Sequence, residues 1–233
     1  MKSRTLTLMI VFAALAIGSP AQTDCSVAYP CFNNLFSFNG TNGANHGSGF
    51  LVGSGSLVQG MDGNFYGTTS EGGNSTFCES SDGCGTVFTI TPGGQLTTLY
   101  NFCSQANCAD GESPAAGLVQ DTDGNFYGTT ALGGSGTGCD SSSCGTVFSL
   151  SVGLRPFVKT LPTSGKIGET VRILGTDLSD TTHVRFNHVE AAFKVISESE
   201  IQTTVPAGPT TGFVSVNRRG PRLKSNVPFQ VLP

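Results

Sequence analysis

The side chains of this sequence that could do chemistry are its cysteines, its histidines, a doubled tyrosine and a short basic knot. The cysteines fall in close pairs: Cys25/Cys31, Cys78/Cys84, Cys103/Cys108 and Cys139/Cys144. Close pairs in a glycine-rich, weakly charged stretch suit local disulfide staples, each stabilising by about 2 kcal/mol through lost chain entropy in the unfolded state. The rival reading is a thiolate zinc site, although metal fingers use shorter, two-residue spacings and reducing compartments. His46, His183 and His188 stand in no HExxH or other ligand spacing. There is no GxSxG elbow and no GxGxxG opening a helix. Carboxylates are plentiful enough for a glycosidase pair, which needs two of them about 5 to 9 Å apart, but proximity is not legible in sequence and nothing here singles out a pair. The sequence therefore assigns no catalytic residue, no cofactor and no metal ligand.

Binding chemistry has more support. Tyr66 and Tyr127 occupy equivalent places in a repeat and could stack on sugars or peptides, although a buried ring with its hydroxyl bonded at the edge is the favoured reading. The absence of Trp weighs mildly against a dedicated glycan platform. Arg218, Arg219, Arg222 and Lys224 gather around Gly220-Pro221, where they could dock an acidic partner such as an anionic polysaccharide or form a solvated hairpin tip. Asp121-Thr122-Asp123-Gly124-Asn125 has the look of a calcium loop, but residue 132, where an EF-hand closes with an acid, is Leu132.

The elements that must position these groups follow from a repeat. DGNFYGTT occurs at 62–69 and again at 123–130. Leu57-Val58-Gln59 precedes the first copy and Leu118-Val119-Gln120 the second; GTVF follows each at 85–88 and 145–148. Leu35-Phe36-Ser37-Phe38 and Leu99-Tyr100-Asn101-Phe102 lead in. A period of about 60 residues marks a stacked or radial architecture. Each unit reads as four short strands: one ending at Phe38 or Phe102, then LVQ, NFYGTT and GTVFTI or GTVFSL. Asp-Gly between the second and third is expected to form a two-residue hairpin turn. The octapeptide is thus read as architecture.

Thirty-two glycines, 12% charged residues and no sustained helical spacing place the chain in the all-β class. From Gln22 to Gly153 there is no Lys or Arg against ten acids, whereas Leu154 to Pro233 carries ten basic residues and six acids. That break predicts a boundary at 153/154. Residues 1–21 have a basic start, an apolar run over Leu6–Ile17 and a small-residue exit, the pattern of a cleaved secretory leader and too short to span a bilayer. The expected organisation is a signal peptide over 1–21, a disulfide-rich repeat region over 22–153 and a second β domain over 154–233. In the last, Thr170–Leu174, His183–Phe186 and Phe213–Val216 alternate as strands between turn residues, as a small sandwich would.

GLVQDTDGNFYGTTALGG followed by GTVFSL, with TLYNF before it, resembles the GloVer tandem repeats of exported bacterial proteins over roughly 33–153. The resemblance implies propeller-blade-like four-stranded sheets or another repetitive β architecture, of unassigned function. Two units are fewer than the four or more blades of a closed propeller, so something else must close them. LPTSGKIGETVRILGTDLSDTTHVRFN, with AAFKVISESEIQTTVPAG and SNVPFQVLP, resembles the immunoglobulin-like IPT/TIG domains over 156–233. That family occurs in receptors, adhesins, polysaccharide-active enzymes and transcription factors, so it constrains function weakly. The combined expectation is an exported or periplasmic, non-enzymatic binding or structural protein with a protein or polysaccharide partner. Nucleic acid is not expected beside a secretory leader, nor a membrane span once the leader is cleaved. A carbohydrate-active enzyme or its accessory module is the alternative. Self-association is expected, because one small domain tethered at one end leaves much of the repeat sheets uncovered.

Overall fold

Eight short strands carry the repeats in a computed structural model that describes residues 32–44, 56–78, 80–136 and 144–233. They are β1 (Val58–Gln59), β2 (Phe65–Thr69), β3 (Thr86–Ile90), β4 (Leu96–Asn101), β5 (Glu112–Pro114), β6 (Val119–Gln120), β7 (Phe126–Leu132) and β8 (Val147–Leu150). The expected leader, Cys25, Cys31, His46 and Cys139 lie outside the described residues. The chain divides into two units, Met1–Ser37 and Phe38–Pro233. In the first, Phe32–Ser37 has no strand assigned. All sheets belong to the second, and no α-helix occurs among the described residues.

The first sheet is an antiparallel meander in the order β1-β2-β3-β4. Here the lead-in strand departs from expectation. Leu96–Asn101 does not open the second unit but closes the first, pairing with β3 through Val87↔Tyr100 and Thr86↔Asn101. Phe102 then crosses to the next sheet and sets its ring edge-on against Phe148, 5.0 Å away. In the second sheet β6 and β5 share one edge of β7, and β8 takes the other. The chain leaves β8 towards the sandwich, so β8 has a strand on one side only among the described residues.

Several letters of the octapeptide have a physical reason. Gly63 and Gly124 have φ of 85° and 93°, and the adjacent Asp62 and Asp123 are not in the left-handed region. Gly60 and Asp121 accept hydrogen bonds from the N–H of Gly63 and Gly124, and donate their own N–H to Asn64 and Asn125. The expected two-residue Asp-Gly turn is therefore a three-residue loop, a type I turn closed by glycine in the left-handed region. The reason is that the aspartate stays out of the left-handed region and its carboxylate caps the N–H two residues on. Gly67 and Gly128 lie under the Phe of GTVF: a Cβ there would meet Phe88 Cζ at 2.8 Å and Phe148 Cζ at 2.5 Å. The closing threonines bond across the hairpin, Thr69 to Thr86 at 2.8 Å and Thr130 to Thr146 at 2.9 Å between hydroxyls.

Ten further strands build the sandwich: β9 (Lys159–Leu161), β10 (Ser164–Gly165), β11 (Thr170–Leu174), β12 (His183–Phe186), β13 (Val189–Ala191), β14 (Phe193–Ser197), β15 (Glu200–Thr204), β16 (Val214–Asn217), β17 (Leu223–Lys224) and β18 (Gln230–Val231). The sheets β14-β15-β11-β9 and β13-β12-β16-β17 face each other across Val171, Ile173, Val184, Phe186, Ile201 and Val216, all buried. β10 and β18 pair in parallel beside them. The repeats join the sandwich at their turn ends, where Phe157 N–H donates to Thr122 O and Lys159 Nζ to Gln120 O, both at 2.9 Å.

Candidate functional site

The doubled Asp/Tyr hairpin is the first constellation with the types of an active site. Asp62 Oδ2 accepts the Tyr66 hydroxyl at 2.9 Å and Asn64 Nδ2 at 2.7 Å. Asp123 Oδ2 accepts Tyr127 at 2.7 Å and Asn125 Nδ2 at 2.8 Å, and its Oδ1 accepts the Asn125 N–H at 2.8 Å. Burial pushes the Asp123 carboxyl up, but these donors outweigh it and hold it below the ordinary carboxylate range. The hydrogen bond to Asp123, then burial, raises the Tyr127 phenol. These oxygens are occupied by their own hairpin, which is the geometry of a turn clasp and not of a calcium loop. Tyr66 is buried and stacks on Phe126 at 4.1 Å, so its ring offers no face to a ligand; Tyr127 is half-buried.

The cysteines have a structural use. Cys78–Cys84 and Cys103–Cys108 are disulfides, both within the expected close pairs, and Cys144 is also disulfide-bonded. The Sγ atoms of Cys84, Cys103 and Cys108 lie within 4.8 Å of one another. As disulfide sulfurs they carry no thiolate charge for a metal. Next to this cluster Asp110 accepts the N–H of Ser104 and Gln105 and the hydroxyls of Tyr100 and Ser104, which makes its carboxylate a loop organiser.

The cationic knot does form part of a concave site. Residues 218–222 join β16 to β17, and Arg222 and Lys224 line a cleft of about 440 Å³ with Asn187, His188, Phe213 and Ser215. Lys224 Nζ sits 3.5 Å from the centre of the Phe213 ring, a cation–π contact that fixes the ammonium at the cleft. Arg222 donates to Ser215 Oγ at 2.7 Å, which leaves guanidinium N–H groups for a ligand. No carboxylate lines the cleft among the described residues. Arg218 turns away, within 3.5 Å of Asp177, and Arg219 is exposed outside the lining.

Asn187 was not singled out by the sequence; His188 stood only as a histidine without ligand spacing and Phe213 only as part of a strand. Asn187 and His188 form the two-residue hairpin between β12 and β13, with φ of 40° and 76°. Two successive left-handed residues without glycine are strained, and Asn187 Nδ2 offsets this by bonding Thr210 Oγ1 at 2.5 Å. The usable signal was Asn-His between the alternating runs HVRF and VEA, a short hairpin that places the imidazole at its tip.

Comparison with known proteins bears on the two halves separately. The Gloeobacter/Verrucomicrobia repeat matches residues 25–172, and the IPT/TIG domain matches 156–231. No curated protein matches the sequence. Among solved structures, SGBP-B from a complex xyloglucan utilization locus in Bacteroides uniformis aligns at 16% identity with a TM-score of 0.28, covering 75% of this chain and 47% of that one. A fungal alcohol oxidase of the AA5 family, in complex with copper, aligns at 12% identity and 0.26, covering 71% and 40%. The chain spans less than half the length of either, and such scores carry no argument about its activity.

Proposed function

The chain belongs to the Gloeobacter/Verrucomicrobia repeat family and ends in an IPT/TIG domain, and from that premise we propose that it is an exported, non-enzymatic binding module. Its ligand surface in this reading is the cationic cleft of the sandwich, and its ligand is an acidic polysaccharide. One observation carries the proposal: Arg222, Lys224 and His188 converge on a cleft of about 440 Å³ whose lining contains no carboxylate. A uronate carboxylate can take two parallel N–H groups from Arg222 and a third from Lys224, while Asn187 and Ser215 suit sugar hydroxyls. Lys224 covers a face of Phe213, so the ring orients the ammonium and does not stack on a sugar.

Export is supported by the leader pattern of residues 1–21 and by the disulfides, which persist in oxidising compartments. Among the described residues no helix is long and apolar enough to cross a membrane. The division of labour proposed is a repeat region over 22–153 that presents and a domain over 154–233 that binds. A hydrolase is disfavoured at this cleft, because glycosidic cleavage there would need carboxylates that the lining lacks.

Calorimetric titration of the full chain with polygalacturonate and with a neutral glucan tests this. The expected result is saturable binding of the polyanion alone, weakening as salt screens the charges. Equal affinity for both polymers, or binding unchanged by Arg222→Ala with Lys224→Ala, would refute it.

A further inference from the structure

The two repeat sheets pack through one face each, and on each opposite face some apolar residues stay exposed. Within the chain, the first sheet presents Val58, Tyr66 and Val87, and the second receives them on Phe102, Leu118 and Phe126. The repeat assigns an equivalent to every one of these positions. Val119, Tyr127 and Val147 on the second sheet match the presenting face, and Phe38, Leu57 and Phe65 on the first match the receiving face. Burial separates four pairs of equivalents, while Phe88 and Ile90 on the first sheet are buried where Phe148 and Leu150 are half-buried. Val87 is 1% exposed and Val147 81%; Leu118 is 4% exposed and Leu57 54%. Phe126 is buried and Phe65 half-buried, and Tyr66 is buried where Tyr127 is only half-buried. Among the described residues the second copy of the motif therefore exposes Val119 and Val147 on its presenting face, and the first exposes Leu57 and part of Phe38 on its receiving face.

We propose that these two faces meet between chains: the presenting face of the second sheet docks on the receiving face of the first sheet of another copy, head to tail. The contact repeats the intrachain one residue for residue, so its chemistry is already satisfied inside each molecule. Phe38 is preset for it, since its ring meets Phe88 edge-on at 5.2 Å as Phe102 meets Phe148 at 5.0 Å. A head-to-tail contact either closes or propagates. Two chains supply four sheets, the smallest number that closes a propeller, so a two-chain ring is the assembly assigned.

Sedimentation of the full chain, produced in an oxidising compartment, tests the proposal with two variants. Leu57 and Val147 are both exposed in the single chain, so Leu57→Asp and Val147→Asp should leave its fold intact, which circular dichroism checks. The wild type should sediment as a dimer at micromolar concentration, and each variant should weaken association at least ~100-fold. An equimolar mixture of the two variants retains one intact contact and should sediment faster than either alone. A wild type that stays monomeric overturns the proposal. So do folded variants that still dimerise, and a mixture no heavier than its components, which would exclude head-to-tail geometry.

Discussion

In the sandwich, Ile173, Ile201, Val184 and Phe186 meet across two facing sheets and exclude water without help from the rest of the chain. In the repeats, Tyr66, Val87 and Phe126 are buried because one copy of the motif lies against the other. The repeat sheets make up for their thin core with devices that act at short range: glycines that admit a phenylalanine ring, carboxylates spent on their own turns, and disulfides across adjacent loops. The sandwich carries its stability inside and can leave cations on its surface for a ligand. Among the described residues the repeats engage Asp62, Asp110 and Asp123 within their own loops, which suits the architectural role proposed for them.

That contrast breaks first under a core truncation. Ile173→Ala should cost about 2–5 kcal/mol and lower the unfolding transition of the sandwich while sparing that of the repeats, as thermal unfolding followed by proteolysis would show. Chemistry of the opposite bias comes next. Replacing Cys78 and Cys84 together with serine should cost about 2 kcal/mol in the repeats and leave the sandwich unmoved. Gly128→Ala should cost about 1–3 kcal/mol, because its Cβ would stand 2.5 Å from Phe148 Cζ; pairing it with Phe148→Ala should make the cost less than additive.

Acid gives the smallest effect and sharpens the comparison by sign. Burial raises the Asp110 carboxyl, but the Ser104 N–H and the Tyr100 hydroxyl outweigh it and leave it depressed, as Asp123 is by its hairpin. A carboxyl that holds its proton less tightly folded than unfolded adds stability at neutral pH. That stability fades as pH falls below about 4 and through the depressed folded value. The repeat transition should therefore drop in acid. The sandwich should move less, since its depressed carboxyl, Glu200, owes the shift to an exposed pair with Arg172 that contributes little. Unfolding curves at stepped pH would show the two transitions diverge.

Much of this was legible in the residues. Thr170–Leu174 and His183–Phe186 alternate as strands and are strands, because a half-buried sheet writes period two into its sequence. The repeat, the all-β class and two local disulfides were readable for similarly local reasons. The strand at Leu96–Asn101 was assigned to the wrong neighbour, since periodicity shows that a strand exists and not which edge it joins. The Asp-Gly loop was read one residue short because an Asx cap and a primed turn share the same letters. In the cleft, Arg222 and Lys224 were visible as a charge cluster. His188 reaches it from the β12–β13 turn and Phe213 from just before β16, and only the sandwich brings them together.

The central claim is that the sandwich binds and the repeats build, and one pair of titrations with polygalacturonate tests it most directly. The double variant Arg222→Ala, Lys224→Ala should lose binding by at least ~100-fold with both unfolding transitions unchanged. Asp123→Asn should lower the repeat transition by about 1 kcal/mol for its lost hydrogen bonds and bind as the wild type does. Binding that survives the cleft variant and fails in the hairpin variant would contradict the account.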